Sequence, residues 1–327
     1  TTLFDKLWQE HEVTTLSARQ SLLYVDRIFL HERTGSVALN GLLEKQRSVR
    51  RREHAFCTMD HIVDTLPGRS DDTLMPSGRD FIVATRHAAQ ETGIQLFDIA
   101  DADQGIVHVI SPELGIALPG LSLICPDSHT CTLGGLGALA WGVGSTEAEH
   151  ALATSTLRVT RPQTMRVSFA GLLGEGVSAK DLILFTIREL SASGGAGYAI
   201  EFAGPAIDAL PVEARLTLCN MATELSAFTG LIAPDQKVLD YCADRRYAPE
   251  GELWDQAAQH WQSLRSDEGA AFDHEHSFDI GSLKPQLSWG TSPQHCVDWD
   301  DVIPDASDAP DASASAAASG ALARAWR

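Results

Sequence analysis

The order of hydrophobic patterns predicts an α/β protein. Strand-like runs of Leu, Val, Ile and Phe alternate with amphipathic helical stretches through most of the 327 residues. Polar and glycine-containing turns separate these runs. Hydrophobic residues make up 44% and charged residues 21% of the chain, ordinary for a globular protein long enough for two domains.

In order, residues 3–11 have helical spacing, and 21–30 read as one strand. Residues 36–46 read as a helix, and 54–59 as a short strand ending at Asp60-His61. Residues 79–91 form a helix stopped by Gly93. Residues 94–99, 105–110 and 121–125 read as strands. Ser145-Thr146 caps a helix, with Glu149 placed for a capping box to Thr146. Residues 164–170 alternate like a strand. Ser178 caps a helix through Leu190, followed by the loop SASGGAG and a strand over 198–202. Residues 211–229, with Pro at the start and Gly230 after the end, predict the clearest helix. Further helices are expected within 235–243 and 253–264. The expected division is 1–130 for a first α/β domain, 131–303 for a second, and 304–327 for an Ala/Ser/Asp-rich disordered tail.

A formal net charge of -19 argues against nucleic-acid binding, which needs clustered Lys and Arg. The apolar run over 136–143 is too short to cross a membrane, and TTLFDKLWQEHEV lacks the pattern of a secretory leader. Cysteines at 57, 125, 131, 219, 242 and 296 show no C-x-x-C spacing, which points to a reducing cytoplasm.

Asp127-Ser128-His129 follows the strand LSLIC, where ligands bind in α/β sheets. Gly134, Gly135 and Gly137 next to it offer amide groups to an anion; the plainer reading is a tight turn with packing glycines. G-x-S-x-G is absent, so no hydrolase nucleophile elbow is indicated. Asp60-His61 reads either as a surface pair or as a general acid held by a carboxylate. His108 interrupts an apolar strand, where a histidine is usually a satisfied core residue. Asn220 and Glu224 stand four apart on the expected helix, on one face. Together these residues suggest a pocket of His–carboxylate pairs for a small anion.

The order of CTMDH, GIVHVISPELGIALPG, CPDSHT, GLGALAWGVGSTEAEHALAT, TLCNMATE, GLIAPD and PQLSWGTSP resembles the 3-isopropylmalate dehydratase large-subunit family of the aconitase superfamily. The resemblance is collinear over about residues 2–304 and implies an aconitase-type fold of two α/β domains with mixed and parallel sheets flanked by helices. It implies a hydro-lyase of leucine biosynthesis that isomerises 2-isopropylmalate and 3-isopropylmalate by dehydration and rehydration. Asp60, His61, His108, Asp127, His129 and Glu224 match catalytic positions; His31, Ser128 and Asn220 match substrate-binding ones. The family uses a [4Fe-4S] cluster and a small subunit as heterodimer partner. The family's cluster motifs, G-S-C-T-N and C-x-x-C, are not found here, so no cysteine is assigned to metal, and the isolated chain is expected to be inactive without parts supplied by other polypeptides. The alternative is a truncated or repurposed non-catalytic paralogue that binds a dicarboxylate or a protein partner. A divalent metal held by the histidines and carboxylates ranks last, because the family uses these groups as acid and anchor.

Overall fold

The computed structural model describes residues 1–305 together with 319 and 320. Apart from residues 304, 305, 319 and 320, the expected tail lies outside the described residues. Helix α1 (Leu3–His11) opens the chain, capped reciprocally by Thr2 and Asp5. Then come β1 (Glu12–Ser17), β2 (Gln20–Tyr24), β3 (Arg27–His31), α2 (Gly35–Glu44), β4 (Ala55–Thr58), α3 (Gly78–Thr92), β5 (Gln95–Phe97), α4 (Val107–Glu113) and β6 (Ser122–Cys125). A 3-10 helix over Ser128–Leu136 leads to β7 (Leu139–Gly142), α5 (Ser145–Thr154) and β8 (Thr156–Thr160). Next are β9 (Gln163–Ala170), α6 (Ala179–Leu190), β10 (Tyr198–Ala203), α7 (Pro205–Ala209), α8 (Val212–Asn220) and β11 (Thr229–Leu231). The last elements are α9 (Gln236–Cys242), α10 (Glu252–Ser263), β12 (His274–Asp279), β13 (Gln286–Ser288) and β14 (Cys296–Asp298).

The architecture is α/β. One sheet is fully parallel in the order β5-β4-β3-β6-β7, and a second, also parallel, runs β11-β10-β9-β12. A small antiparallel sheet, β1-β2-β8, and the antiparallel pair β13-β14 complete the topology. The larger core surrounds the five-stranded sheet, with Phe29, Leu39, Phe56, Ile124 and Trp261 inside it; the second gathers Val167, Phe169, Leu182, Ile200 and Leu225. No helix among the described residues is long and apolar enough to cross a membrane.

Several sequence expectations change. The single strand over 21–30 is two strands in different sheets. They part at Asp26, whose carboxylate accepts the Ser122 N–H at 2.8 Å and lies 2.7 Å from His11 Nε2. The strand over 105–110 is helix α4 instead. Asp60 Oδ2 accepts the Val107 N–H at 2.9 Å, so a cap from a distant loop overrides a β-branched run. Helix α5 is closed by Glu147, which accepts the Gly144 N–H at 2.9 Å, rather than by a Thr146–Glu149 box; Glu149 pairs with Lys45 at 2.5 Å. The long helix over 211–229 ends at Asn220, turns through a 3-10 segment over Met221–Leu225 and becomes β11, because residues 229–231 pair with β10. Asn220 and Glu224 therefore do not share one helix.

Gly134 and Gly135 are buried packing residues rather than an anion cradle. A Cβ at Gly134 would lie 1.7 Å from Gly230 O, and one at Gly135 2.8 Å from the backbone of Arg215 and Leu216. Their absent side chains let the 3-10 helix press against α8 and β11, and so set the spacing between the two sheets near the site.

Candidate active site

Strand β3 is central in the larger sheet, with β4 and β5 on one side and β6 and β7 on the other. The strand order reverses there, and the carboxyl ends of β3, β4 and β6 open together into a crevice. His31 ends β3, Asp60 and His61 follow β4, and Asp127, Ser128 and His129 follow β6. Chain positions far apart thus meet through parallel topology.

Asp127 is the hub. His61 Nε2 lies 3.0 Å from its Oδ2, His108 Nε2 3.3 Å from its Oδ1, and His129 Nδ1 3.7 Å from Oδ1. Asp127 also caps the 3-10 helix, accepting the His129 N–H at 2.7 Å. Burial works against its charge, yet the imidazoles of His108, His129 and His61 outweigh that and hold the carboxyl well below its ordinary range. His108 Nε2 faces Asp127 without an aligned hydrogen bond, and both of its ring nitrogens are buried without a hydrogen-bond partner. His108 is carried on α4, which Asp60 caps.

His61 is gripped from both sides. Its Nδ1 lies 2.6 Å from Asp60 Oδ1, whose side chain is 2% exposed, while Nε2 faces Asp127. Hydrogen bonding to Asp127 and then to Asp60 pushes its pKa up to about 10. The His31 ring stacks on that of His61 with centroids 3.7 Å apart, and its Nε2 lies 3.0 Å from the Pro126 carbonyl oxygen. Burial, then the neighbouring His61 charge, pushes the His31 pKa down. A neutral ring thus lies against a charged one, and His31, 1% exposed, sits behind His61 rather than in the opening.

Glu32 went unread in the sequence. It is 0% exposed, and its carboxylate accepts the backbone N–H groups of Asp60 at 2.9 Å, His61 at 2.8 Å and Val63 at 3.3 Å, as well as that of Ile62. The only local signal was a carboxylate beside a histidine at the end of an apolar strand.

The opposite edge is more open. His129 Nε2 lies 3.5 Å from Glu224 Oε1, and both side chains are more than a third exposed. Hydrogen bonding to Asp127 is the main influence raising the His129 pKa. Ser128 is exposed, with its hydroxyl 3.3 Å from His129 Nδ1. Asn220 donates to Thr132 Oγ1 at 2.8 Å and lines, with His108, Thr132 and Lys180, a cavity of 370 Å³. A second cavity of 410 Å³ borders Asp127, Ser128 and Thr223. Of the nine residues picked out in the sequence, His108 and Asn220 line the first cavity and Asp127 and Ser128 the second, while His61, His129, Asp60, Glu224 and His31 join them through contacts that lead to Asp127.

His31, Glu32, Asp60 and His61 bring donor atoms within 4.8 Å of one another. His31 keeps one buried ring nitrogen, Nδ1, without a hydrogen-bond partner, but the other three are already engaged: Glu32 by backbone amides, Asp60 by His61 and Val107, and both His61 nitrogens by carboxylates. A protonated imidazole cannot ligate a cation. All six cysteines are buried and free, and none belongs to the group of clustered ligand side chains among the described residues.

Comparison with known proteins gives two findings. The profile of the Aconitase family (aconitate hydratase) matches residues 5–326. The chain is 49% identical over 310 residues to 3-isopropylmalate dehydratase large subunit 1 of Bradyrhizobium diazoefficiens. That alignment covers 95% of this chain and 65% of the relative, so the chain spans under two thirds of the relative's length.

Proposed function

The chain belongs to the aconitase family, and on that premise we propose that it forms the acid-and-anchor wall of a hydro-lyase of the 3-isopropylmalate dehydratase large-subunit type. The reaction would interconvert 2-isopropylmalate and 3-isopropylmalate through loss and return of water, a step of leucine biosynthesis. The observation that carries this reading is the convergence of His61, His108 and His129 on the single carboxylate of Asp127.

His61 holds a proton at Nε2, where Asp127 accepts it. A substrate hydroxyl that shares this proton with Asp127 can take it as the hydroxyl departs as water. Asp60 keeps Nδ1 protonated and the ring fixed. His129, raised in pKa and open to solvent, and the Ser128 hydroxyl anchor a substrate carboxylate. Asn220 and His108 shape the adjoining cavity.

The [4Fe-4S] cluster expected for the family would supply Lewis acidity towards a hydroxyl. The cysteines described here do not fit it, so the reading requires its ligands, and a small subunit completing a heterodimer, from outside these residues. The six free thiols are consistent with a reducing cytoplasm. As a division of the chain we propose 1–130 and 131–303 as two interleaved domains; residues such as Leu139, Ala151 and Trp261 pack into the first core.

The test is reconstitution with a cysteine-bearing polypeptide and a small subunit, following the unsaturated diacid by ultraviolet absorbance. Turnover dependent on His61 supports the proposal; iron-loaded, assembled but inert protein overturns it. The misfit of the cysteines favours a second reading, a dicarboxylate-binding module without turnover. Ligand at about 100 times Kd should stabilise the fold by ~2.7 kcal/mol. A thermal shift with a dicarboxylate and no turnover after reconstitution selects this reading.

A further inference from the structure

Glu32 is assigned no role by the family resemblance, yet it is the most deeply enclosed carboxylate beside the site. It lies at the turn after β3, one residue beyond His31, and is 0% exposed. Among the described residues it has no ion pair within 4.0 Å, although a His61 ring nitrogen lies within 4.8 Å. Its partners are consecutive backbone N–H groups of another loop, from Asp60, His61, Ile62 and Val63. Its own backbone carbonyl is held by the Thr85 hydroxyl of α3 at 3.1 Å. An isolated buried carboxylate is costly, so four converging amides are the condition under which it can exist. The same amides belong to the loop that must present His61 between Asp60 and Asp127.

We propose that Glu32 is a positioning residue that clamps the 60–63 loop through its backbone and so sets the His61 ring against Asp127. The clamp acts on the main chain, so side-chain identity at 62 and 63 does not affect it. It also couples β3 to β4: the strand carrying His31 fixes the loop carrying His61, and the two rings stack as a result. The inference deepens the proposed function by adding a positioning residue to the same acid.

The test reads the His61 ring directly by NMR titration in the chain as it exists, without turnover or cofactor, so failure of the proposed activity leaves it readable. The groups around His61 are Asp60 and Asp127, with His31 stacked on it and Glu32 behind the loop. In wild type the ring should keep its proton to about pH 10. In Glu32→Gln, which keeps the size but replaces one acceptor oxygen with a donor, the His61 midpoint should fall by at least about one unit, a tenfold loss of proton affinity. Leu182→Ala, in the second core and 0% exposed, serves as the control for general destabilisation. It should lower Tm and leave His61 unchanged. A Glu32→Gln variant that loses Tm but keeps the wild-type His61 midpoint overturns the proposal, because the residue is then merely structural. If Glu32→Gln does not fold, hydrogen exchange in wild type decides: amides of residues 60–63 should be strongly protected, and exchange at free-loop rates overturns the clamp.

Discussion

The two ends of the Asp127 network are built differently. At the inner end, His61 lies 2.6 Å from Asp60 and 3.0 Å from Asp127, on a loop clamped by a fully buried Glu32. At the outer end, His129 and Glu224 lie 3.5 Å apart, with side chains 38% and 36% exposed. The inner end is preorganised: its proton is positioned before any ligand arrives. The outer end is loose and wet, as suits groups that exchange water and each other for an incoming carboxylate. Acid chemistry needs fixed geometry, whereas anchoring needs access.

The sharpest way to break this contrast is Asp127→Asn, which removes the charge common to both ends. The inner imidazole, its side chain 29% exposed, loses one of its two carboxylate partners, and the Asp127 side chain is itself only 13% exposed. A stability loss of about 3 kcal/mol is expected, because breaking a buried charge pair leaves its partner uncompensated. Urea unfolding measures it. A loss below about 1 kcal/mol would mean that neither end depends on the hub.

Much of this site was legible in the chain. Asp60-His61 and Asp127-Ser128-His129 were visible because each follows an apolar run that is a strand, and parallel topology brings strand ends together. His108 was visible as a residue but was placed on a strand. GIVHVI has β propensity, yet it begins a helix capped by Asp60, 47 residues away, with Val107 and Ile110 packed into the larger core. The helix assigned to 211–229 failed for the same kind of reason: pairing with β10 captures Thr229–Leu231. Strand β12 was passed over because HEHSFD carries little apolar signal, and its partner β9 lies 109 residues back at the Glu275–Arg166 pair. Glu32 was invisible because its partners are backbone amides, which leave no trace in side-chain spacing.

A smaller effect separates the ends by pH. His61 has a folded pKa of about 10 against an ordinary 6.5, so it contributes stability fully below about 6.5 and loses it as pH rises through 10. Asp127 is shifted down, so its contribution is present above its ordinary 3.8 and falls away in acid. The stability difference between wild type and His61→Gln should therefore be flat from about pH 4.5 to 6.5 and shrink between 6.5 and 10. A difference that instead grows as pH rises to about 6.5 and is flat above it would show that His61 is neutral in the fold.

Salt should sharpen the contrast further. In about 1 M salt the Debye length is ~3 Å, which screens exposed pairs far more than enclosed ones. Both imidazoles are partly exposed, 29% for the His61 side chain and 38% for that of His129, so both midpoints should drop on adding salt, that of His129 by more. Equal drops, read by NMR, would mean that solvent reaches both rings alike.

The smallest effect is expected from Glu224→Gln. The pair it breaks spans 3.5 Å, both partners are more than a third exposed, and water solvates what is left behind. Stability should therefore change by no more than about 0.5 kcal/mol. The His129 pKa should fall, but not to its ordinary value, because Asp127 remains its largest influence. Ligand binding should respond more than folding does: if His129 anchors a carboxylate, the thermal shift produced by a dicarboxylate should fade with rising pH sooner in Glu224→Gln than in wild type. A stability loss above about 1.5 kcal/mol would place Glu224 in the same class as the clamped inner residues, since exposed ion pairs do not contribute that much. The outer end would then be a structural brace, and the carboxylate anchor would have to be sought elsewhere along the crevice.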